Sequence, residues 1–231
     1  MATRMPQEPS LEVSSPGSAQ AVRAGAGIAE LLDAIASAGI RDPRILEAFV
    51  RVPRDTFVPR WLASRSFEDV ALPIGCGQTI SQPSMVAIML SELEVDASSR
   101  VLEVGAGSGY AACLLSHLAH SVQAVERHQQ LAQGARNALS RLGRTNVTVY
   151  HGDGAACMPR GPFDRILISA AAAKVPDALL ALLPPLGRLV APIGDADTQL
   201  LMTYQRDAAG ELSVHESVRC RFVPLVSHAV S

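Results

Sequence analysis

The sequence has few of the features that mark a nucleic acid-binding, secreted or membrane protein. Lys174 is its only lysine, and 20 Lys and Arg against 22 Asp and Glu leave a formal net charge of −2. A clustered basic face, the usual footprint of a nucleic acid partner, is not apparent. No apolar run has the length of a secretory signal or of a membrane span. We therefore expect a cytoplasmic protein, monomeric, with no nucleic acid or membrane partner.

Cysteine is scarce as well, and its spacing excludes two common kinds of site. Cys76, Cys113, Cys157 and Cys220 are far apart and form no C-x-x-C pair. Neither a zinc knuckle nor a redox motif is therefore indicated. The histidines have no metal-ligand spacing either, so we predict no metal site.

The chain has enough apolar residues for one cored domain, since 48% of its 231 residues are hydrophobic. Residues 1–23, rich in Ser, Pro, Gln and Glu, predict a disordered tail. We assign 24–231 to a single domain, in which 24–99 form a helical preface and 100–231 form a sheet. Within the preface, helical spacing appears after residue 24 and again at 45–52, where Pro43 opens the helix. Prolines at 53 and 59 predict an ordered loop, with Phe57 and Trp61 anchoring it on the core.

From residue 100 the chain alternates short apolar runs with helical segments. This order predicts an α/β fold, a doubly wound and mainly parallel sheet of seven strands, with an antiparallel hairpin closing it. Predicted helices cover 84–93, 110–118, 129–142 and 176–183. Predicted strands cover 101–104, 121–125, 147–150, 165–169, 188–192, 199–205 and 213–226.

The segment VLEVGAGSGY joins an apolar strand to a helix through Gly105, Gly107 and Gly109. Glycines at such a turn let backbone N–H groups approach a ligand closely, although a purely structural tight turn is a common alternative. The pattern is G-x-G-x-G, because Tyr110 stands where a dinucleotide fingerprint has its third glycine. Glu103, two residues before the first glycine, favours a cationic guest over a pyrophosphate.

Two further acids fall at the ends of the next two predicted strands, where an open parallel sheet forms its ligand crevice. Glu126 is placed to accept hydrogen bonds from both hydroxyls of a ribose. Asp153 is placed to accept from an adenine amino group, with Gly154 leaving room for the ring. An isolated acid of this kind is more often a helix cap or a solvated loop charge. The ordered combination favours a nucleoside cofactor.

This ordered set is similar to that of the class I S-adenosylmethionine methyltransferases, which have a Rossmann-like sheet. Further motifs narrow the resemblance: LPIGCGQTISQP from Leu72, VPRDTFVP from Val52, RFVPLV from Arg221, and the short GDG and ISAAA. From Leu31 to Val226 the chain resembles the protein-L-isoaspartate O-methyltransferase family. The resemblance implies that S-adenosylmethionine is the cofactor and that isoaspartyl proteins or peptides are the substrates. Methylation of their α-carboxylate would initiate repair.

The resemblance also implies roles for individual residues. The segment matching Gln78, Thr79, Ile80 and Ser81 lies between cofactor and acceptor in that family, and the serine matching Ser81 is the active-site residue. The VPL segment, here 223–225, borders the same cleft. Implied cofactor-binding residues are Gln78, Thr79, Ile80, Glu103, Gly105, Gly107, Gly109, Glu126, Arg127, Asp153 and Gly154. Two positions depart from the family pattern: Cys76 replaces a frequent aromatic, and Ser84 stands where His or Tyr is common.

The chemistry of a carboxylate acceptor suits hydroxyl donors better than a strong base. A carboxyl group with a pKa of about 4 is already ionised at neutral pH. Methyl transfer to it needs alignment and loss of water, so we assign Ser81 an orienting role. The alternative is that Ser81 and Thr79 only cap the helix that Pro83 opens.

Three other functions remain open from the sequence alone. The nearest is an O-methyltransferase of the same scaffold that acts on a different carboxylate. A nucleic acid methyltransferase is disfavoured because the fourth strand of the sheet ends in ISAAAA without an N-P-P-aromatic motif. A cofactor-binding module without catalysis is disfavoured by the intact segment at 79–81.

Overall fold

The chain begins with a helical layer. The structure, a computed structural model, describes residues 16–154 and 159–226, without the side chains of 16–24 and 26. The first helix, α1, runs Pro16–Ser37 and therefore starts eight residues before the end of the predicted tail. Pro16 at the first helical position and the alanines that follow favour this earlier start. The rest of the predicted tail, residues 1–15, lies outside the described residues.

The second helix, α2, runs Pro43–Arg51 and confirms the predicted start at Pro43. Asp42 caps it, since its side chain accepts a hydrogen bond from the Arg44 N–H at 2.9 Å. Where an ordered loop without regular elements was predicted, two short 3₁₀ helices follow, Arg54–Phe57 and Arg60–Arg65. Phe57 is buried as predicted. Trp61 is not the anchor that we predicted, because its side chain is 73% exposed.

A small antiparallel hairpin, which the sequence analysis did not predict as strands, separates this layer from the next helix. It pairs β1, Leu72–Gly75, with β2, Gln78–Ile80, around Cys76 and Gly77. Helix α3, Pro83–Leu93, begins three residues after β2. The hairpin therefore contains most of the motif LPIGCGQTISQP.

The remaining strands form one seven-stranded sheet and confirm the predicted doubly wound α/β class. The strands are β3 Arg100–Val104, β4 Ser121–Glu126, β5 Val147–His151, β6 Arg165–Ile168, β7 Arg188–Gly194, β8 Gln199–Arg206 and β9 Leu212–Cys220. Their order in the sheet is β5-β4-β3-β6-β7-β8-β9, in which the five strands β3 to β7 are parallel and the last two pair antiparallel. The helices between them are α4 Tyr110–Leu115, α5 Gln129–Arg141 and α6 Asp177–Ala181.

Apolar side chains cover both faces of the central strands, which explains why those strands are nearly continuous apolar runs. On one face a cluster joins the helical preface to α4 and α5. On the other face a smaller cluster packs α6 against β3, β6 and β7. Among the described residues, no helix combines the length and the apolar character that crossing a bilayer requires.

Strand β9 ends at Cys220, six residues earlier than predicted. The chain then leaves the sheet and lies beside Ala171, whose N–H donates to Val223 O at 2.8 Å. In return the Leu225 N–H donates to Ala171 O at 2.6 Å. These bonds use the Val223 carbonyl and the Leu225 N–H, so neither group pairs with β8. They bring residues 223–225 to the carboxyl end of the parallel strands.

Candidate active site

The site lies at the carboxyl end of β3, where the order of strands along the sheet reverses. Here β3 runs into a turn in which Gly105, Gly107 and Gly109 have φ values of +88°, +55° and +87°. Residues with a Cβ are strained in this left-handed region. A Cβ on Gly109 would also lie 2.9 Å from the Cβ of Ala135, so this glycine lets α4 and α5 approach each other closely.

Glu126, at the end of the neighbouring strand β4, holds the glycine turn in place. One oxygen of its carboxylate accepts from the Gly107 N–H and the other from the His128 N–H, both at 2.8 Å. The side chain is only 4% exposed. Each carboxylate oxygen has two acceptor positions, so capacity remains for a ligand on both.

Glu103, in β3, is the most unusual group in the site. Its Oε1 accepts from Ser169 Oγ at 3.0 Å, while its Oε2 is buried and has no hydrogen-bond partner among the described residues. Burial, with a smaller contribution from the negative charge of Glu126, raises the pKa of Glu103 to about 8. A buried carboxylate with an unpartnered oxygen is costly unless a cation or donor satisfies it. The site is therefore built for a cationic or donating ligand group.

The other end of the cofactor crevice is formed by the loop after β5. Asp153 and Gly154 line a cavity together with Gln78 and Glu126. Gly154 packs tightly on β3, since a Cβ there would come within 2.5 Å of Val104 Cγ1. Arg127 lines the same cavity, and its guanidinium donates to the carbonyl of Val226 at 3.0 Å.

The hairpin supplies the wall between this crevice and a second cleft. Thr79, Ile80 and Ser81 line the pocket that contains Glu103, Gly105 and Gly107. The second cleft, about 600 Å³, is lined by Thr79 and Ser81 again, together with Ser169 and residues 219–223. The two cavities therefore meet at three hydroxyl-bearing side chains, Thr79, Ser81 and Ser169.

Ser81 and Thr79 do not cap helix α3, so that alternative is not supported. The cap comes from Asp69, whose Oδ1 accepts from the Ser84 N–H and whose Oδ2 accepts from Gln82 Nε2, both at 2.8 Å. The helix has no other side-chain cap bond at its N-cap residue, Gln82. The hydroxyl of Ser81 is therefore not needed for the helix terminus.

Arg54 is a structural residue of the site to which the sequence analysis gave no role. Its side chain is 1% exposed and spans 2.8–3.1 Å hydrogen bonds to four backbone carbonyls, those of Ser66, Glu68, Val70 and Ser81. Its guanidinium carbon also lies 5.8 Å from the ring centre of Tyr110, in α4. Burial lowers the pKa of Arg54 from its ordinary value. The only sequence signal was its place in the motif VPRDTFVP.

Ser169 was also missed as an individual residue, although ISAAA was noted as a motif. It follows β6, the strand adjacent to β3, and its hydroxyl contacts Glu103. A polar residue at the end of a parallel strand was the available signal. The two departures from the family pattern lie on the hairpin and α3: Cys76 is exposed at the hairpin tip, and Ser84 is buried in the first turn of the helix.

The structure thus brings the residues that the sequence assigned to cofactor or acceptor binding to one end of the sheet. Except for Gly109, which packs against Ala135 of α5, they line three cavities there. Within residues 16–154 and 159–226, no group of three or more His, Cys, Asp and Glu side chains is arranged to hold a metal ion.

This fold, with its glycine turn and three acids, defines an S-adenosylmethionine-dependent methyltransferase. The family model described as protein-L-isoaspartate(D-aspartate) O-methyltransferase matches residues 27–230. The chain belongs to this family.

Relatives and solved structures agree with this membership. A protein-L-isoaspartate O-methyltransferase of Caulobacter sp. strain K31 is 44% identical over 202 residues, 87% of this chain and 93% of that protein. One from Pelobacter propionicus is 47% identical over 190 residues, 81% and 84% of the two chains. A Plasmodium falciparum structure assigned to the same enzymes, in complex with S-adenosyl-L-homocysteine, has a TM-score of 0.74 and 25% identity and covers 85% of this chain and 96% of its own.

Proposed function

We propose that this chain transfers a methyl group from S-adenosylmethionine to the α-carboxylate of an L-isoaspartyl residue in a damaged protein or peptide. The observation that carries the proposal is the junction of the two cavities. A glycine turn with a buried, unpartnered carboxylate oxygen on Glu103 meets a hydroxyl-lined cleft at Thr79, Ser81 and Ser169. Membership of the family supplies the acceptor class.

The cofactor fits the residues of two adjoining cavities: the inner cavity, which contains Glu103, and the crevice beside it, which contains Asp153. Glu103 offers its unpartnered oxygen to the methionyl ammonium group, and the backbone of Gly105 to Gly109 allows close approach. Glu126 has acceptor capacity left for the ribose hydroxyls, and Asp153 with Gly154 borders the place proposed for adenine. When bound, S-adenosylmethionine supplies an electrophilic methyl group on a sulfonium.

Gln78, Thr79 and Ile80 complete the proposed cofactor wall from the hairpin side. Arg127 acts through its backbone position and through the bond from its guanidinium to Val226 O, which holds the C-terminal segment against the crevice. We therefore propose that Arg127 closes the adenosine end of the site.

On the acceptor side, the hydroxyls of Ser81 and Thr79 donate hydrogen bonds that orient the carboxylate. The acceptor is already ionised at neutral pH, so these residues have no proton to remove from it. Their contribution is positioning and exclusion of water, and the methyl ester that forms is a better electrophile than the carboxylate. As in the family, the ester can then close to a succinimide with loss of methanol. Hydrolysis of that ring returns part of the normal aspartyl linkage.

The proposal is tested by labelled methyl incorporation into an isoaspartyl peptide and its aspartyl twin. We expect base-labile label in the isoaspartyl peptide only. Ser81→Ala should lower the rate about 10- to 100-fold, the value of one or two lost hydrogen bonds, without weakening association with S-adenosylhomocysteine. Asp153→Ala should weaken that association. Ser140→Ala, an exposed serine of α5, is the matched control.

Equal labelling of the two peptides would overturn the acceptor assignment and favour the alternative, the same scaffold acting on another carboxylate. Failure of the cofactor-free protein to bind S-adenosylhomocysteine would overturn the proposal altogether.

We further propose that residues 24–231 form one domain that acts as a cytoplasmic monomer without a nucleic acid partner. One apolar cluster extends from Leu31 to Phe222 and supports a single domain. Cys76, Cys113 and Cys220 are free thiols, as is usual in a reducing compartment. The net charge of −2 disfavours a phosphate backbone as partner.

A further inference from the structure

The second cleft, called the acceptor cleft from here on, carries an excess of positive charge on its outer wall. Arg219, near the end of β9, and Arg221, just after it, both line the cleft. Among the described residues that line the cleft, none is acidic. This local charge is opposite in sign to the formal net charge of −2 for the whole chain. The cleft therefore attracts anions although the protein as a whole does not.

Both arginines are exposed and available to a ligand. In the part of the chain that the structure describes, neither forms an ion pair or a side-chain hydrogen bond. Arg51 and Arg65, by contrast, are held at 2.6 and 2.7 Å by Glu47 and Glu68. Two unpaired guanidinium groups beside one cleft keep their full capacity for carboxylates.

The arginines lie outside the place where the two cavities meet. The inner cavity is lined by Thr79, Ser81 and Ser169 but by neither Arg219 nor Arg221. A guanidinium bonded to the reacting carboxylate would withdraw charge from the oxygen that accepts the methyl group. Their position therefore suits a carboxylate that neighbours the reacting residue.

A substrate chain can continue past Arg221. Arg221 and Phe222 also line a further cavity, about 550 Å³, which Ser81 does not line. Its acid, Asp195, already accepts from the N–H groups of Asp197 and Thr198, at 2.9 and 2.8 Å. An extended peptide that follows both cavities passes Arg221, which lines each of them.

We propose that Arg219 and Arg221 form an anion subsite that binds acidic side chains flanking the isoaspartyl residue. The preferred substrates are therefore acidic segments of damaged proteins. This inference rests on the proposed function, because it concerns the neighbours of the same acceptor. The attraction is electrostatic and partly exposed to solvent, so added salt weakens it.

The test compares isoaspartyl peptides that differ only in the two residues on each side of the isoaspartate. One series carries Glu at these positions on the N-terminal side, the C-terminal side or both, and its twins carry Gln. We expect KM for at least one Glu peptide to be roughly three- to tenfold lower than for its Gln twin, with the ratio falling toward one in high salt.

The double variant R219Q/R221Q should reduce the ratio of the two KM values to about one. Because the ratio is measured within one protein, a general loss of activity does not affect it. Arg141→Gln, which removes an exposed arginine from the last turn of α5, should preserve the ratio.

Equal KM values for the Glu and Gln peptides in the unmodified protein, or a ratio that survives in the double variant, would overturn the anion subsite while the proposed function stands. Absence of label from every isoaspartyl peptide, including the Gln series, would instead overturn the proposed function and the subsite with it.

Discussion

At the scale of single residues, the site depends on a carboxyl group that the protein alone does not satisfy. Glu103 is almost fully buried, one of its oxygens has no partner, and its pKa is raised to about 8. At neutral pH the cofactor-free protein therefore holds most of this group protonated. A cation that binds beside it should expel the proton, because the positive charge favours the ionised carboxylate.

We predict that S-adenosylhomocysteine releases close to one proton per molecule bound at pH 6 and less at pH 7.5, where part of Glu103 is already ionised. Glu103→Gln should abolish this release and weaken association about 10- to 100-fold. Calorimetry in two buffers of different ionisation enthalpy measures both quantities. Glu47→Gln, on the exposed face of α2, should change neither. Proton release that persists in Glu103→Gln would assign it to another group.

At the scale of elements, residues 54–81 form the acceptor side. This segment, called the arch from here on, is held together by the side chain of Arg54. Arg54 joins the first 3₁₀ helix to the carbonyls of residues 66, 68, 70 and 81. Asp69, inside this arch, caps α3. The position of Ser81 thus depends on contacts made 27 residues away in the chain.

We predict that Arg54→Lys, which keeps the charge but has fewer donors in a different geometry, lowers the free energy of unfolding by about 3 kcal/mol. Because the arch borders the acceptor cleft, KM for the isoaspartyl peptide should rise, while the affinity for S-adenosylhomocysteine changes little. Denaturant unfolding and steady-state kinetics measure these effects. Arg51→Lys, an exposed pair with Glu47, should stay within about 0.5 kcal/mol. Equal losses of acceptor and cofactor binding would contradict the positioning role.

At the scale of the whole molecule, the buried carboxyl links stability to pH. The pKa of Glu103 is about 8 in the folded protein against an ordinary value of 4.5. Between these values the folded state holds a proton that the unfolded state releases. The stabilising effect of that proton is complete below about pH 4.5 and is lost as the pH rises through 8.

We predict that the cofactor-free protein loses roughly 1 kcal/mol of unfolding free energy per pH unit across this window through Glu103. Glu103→Gln should remove that part of the slope, so the difference between the two proteins should grow with pH. Denaturant unfolding at pH 5.5, 6.5 and 7.5 measures the difference, in which other titrating groups cancel. Parallel stability curves would show that Glu103 does not titrate in this range.

Much of the architecture could be predicted because it is encoded locally. The runs at 101–104 and 121–125 are mainly apolar because both faces of their strands are covered, and the structure confirms them as parts of β3 and β4. The start of α2 at Pro43 was also predicted correctly, because proline is favoured at the first position of a helix. The hairpin β1–β2 was missed because three- and four-residue strands carry too little periodicity.

The sequence by itself determined the class of fold, the glycine turn and the acids of the cofactor crevice. Short, mainly apolar runs mark the strands, and the glycines and acids lie within these runs or directly after them. Only the tertiary structure decided how these groups are used. Several features depend on residues distant in the chain: the burial of Glu103 and its one unpartnered oxygen, the arch held by Arg54, the cap from Asp69, and the arginines beside the acceptor cleft. Desolvation and hydrogen bonding depend on which residues are neighbours in space, and these neighbours cannot be read from the order of residues along the chain.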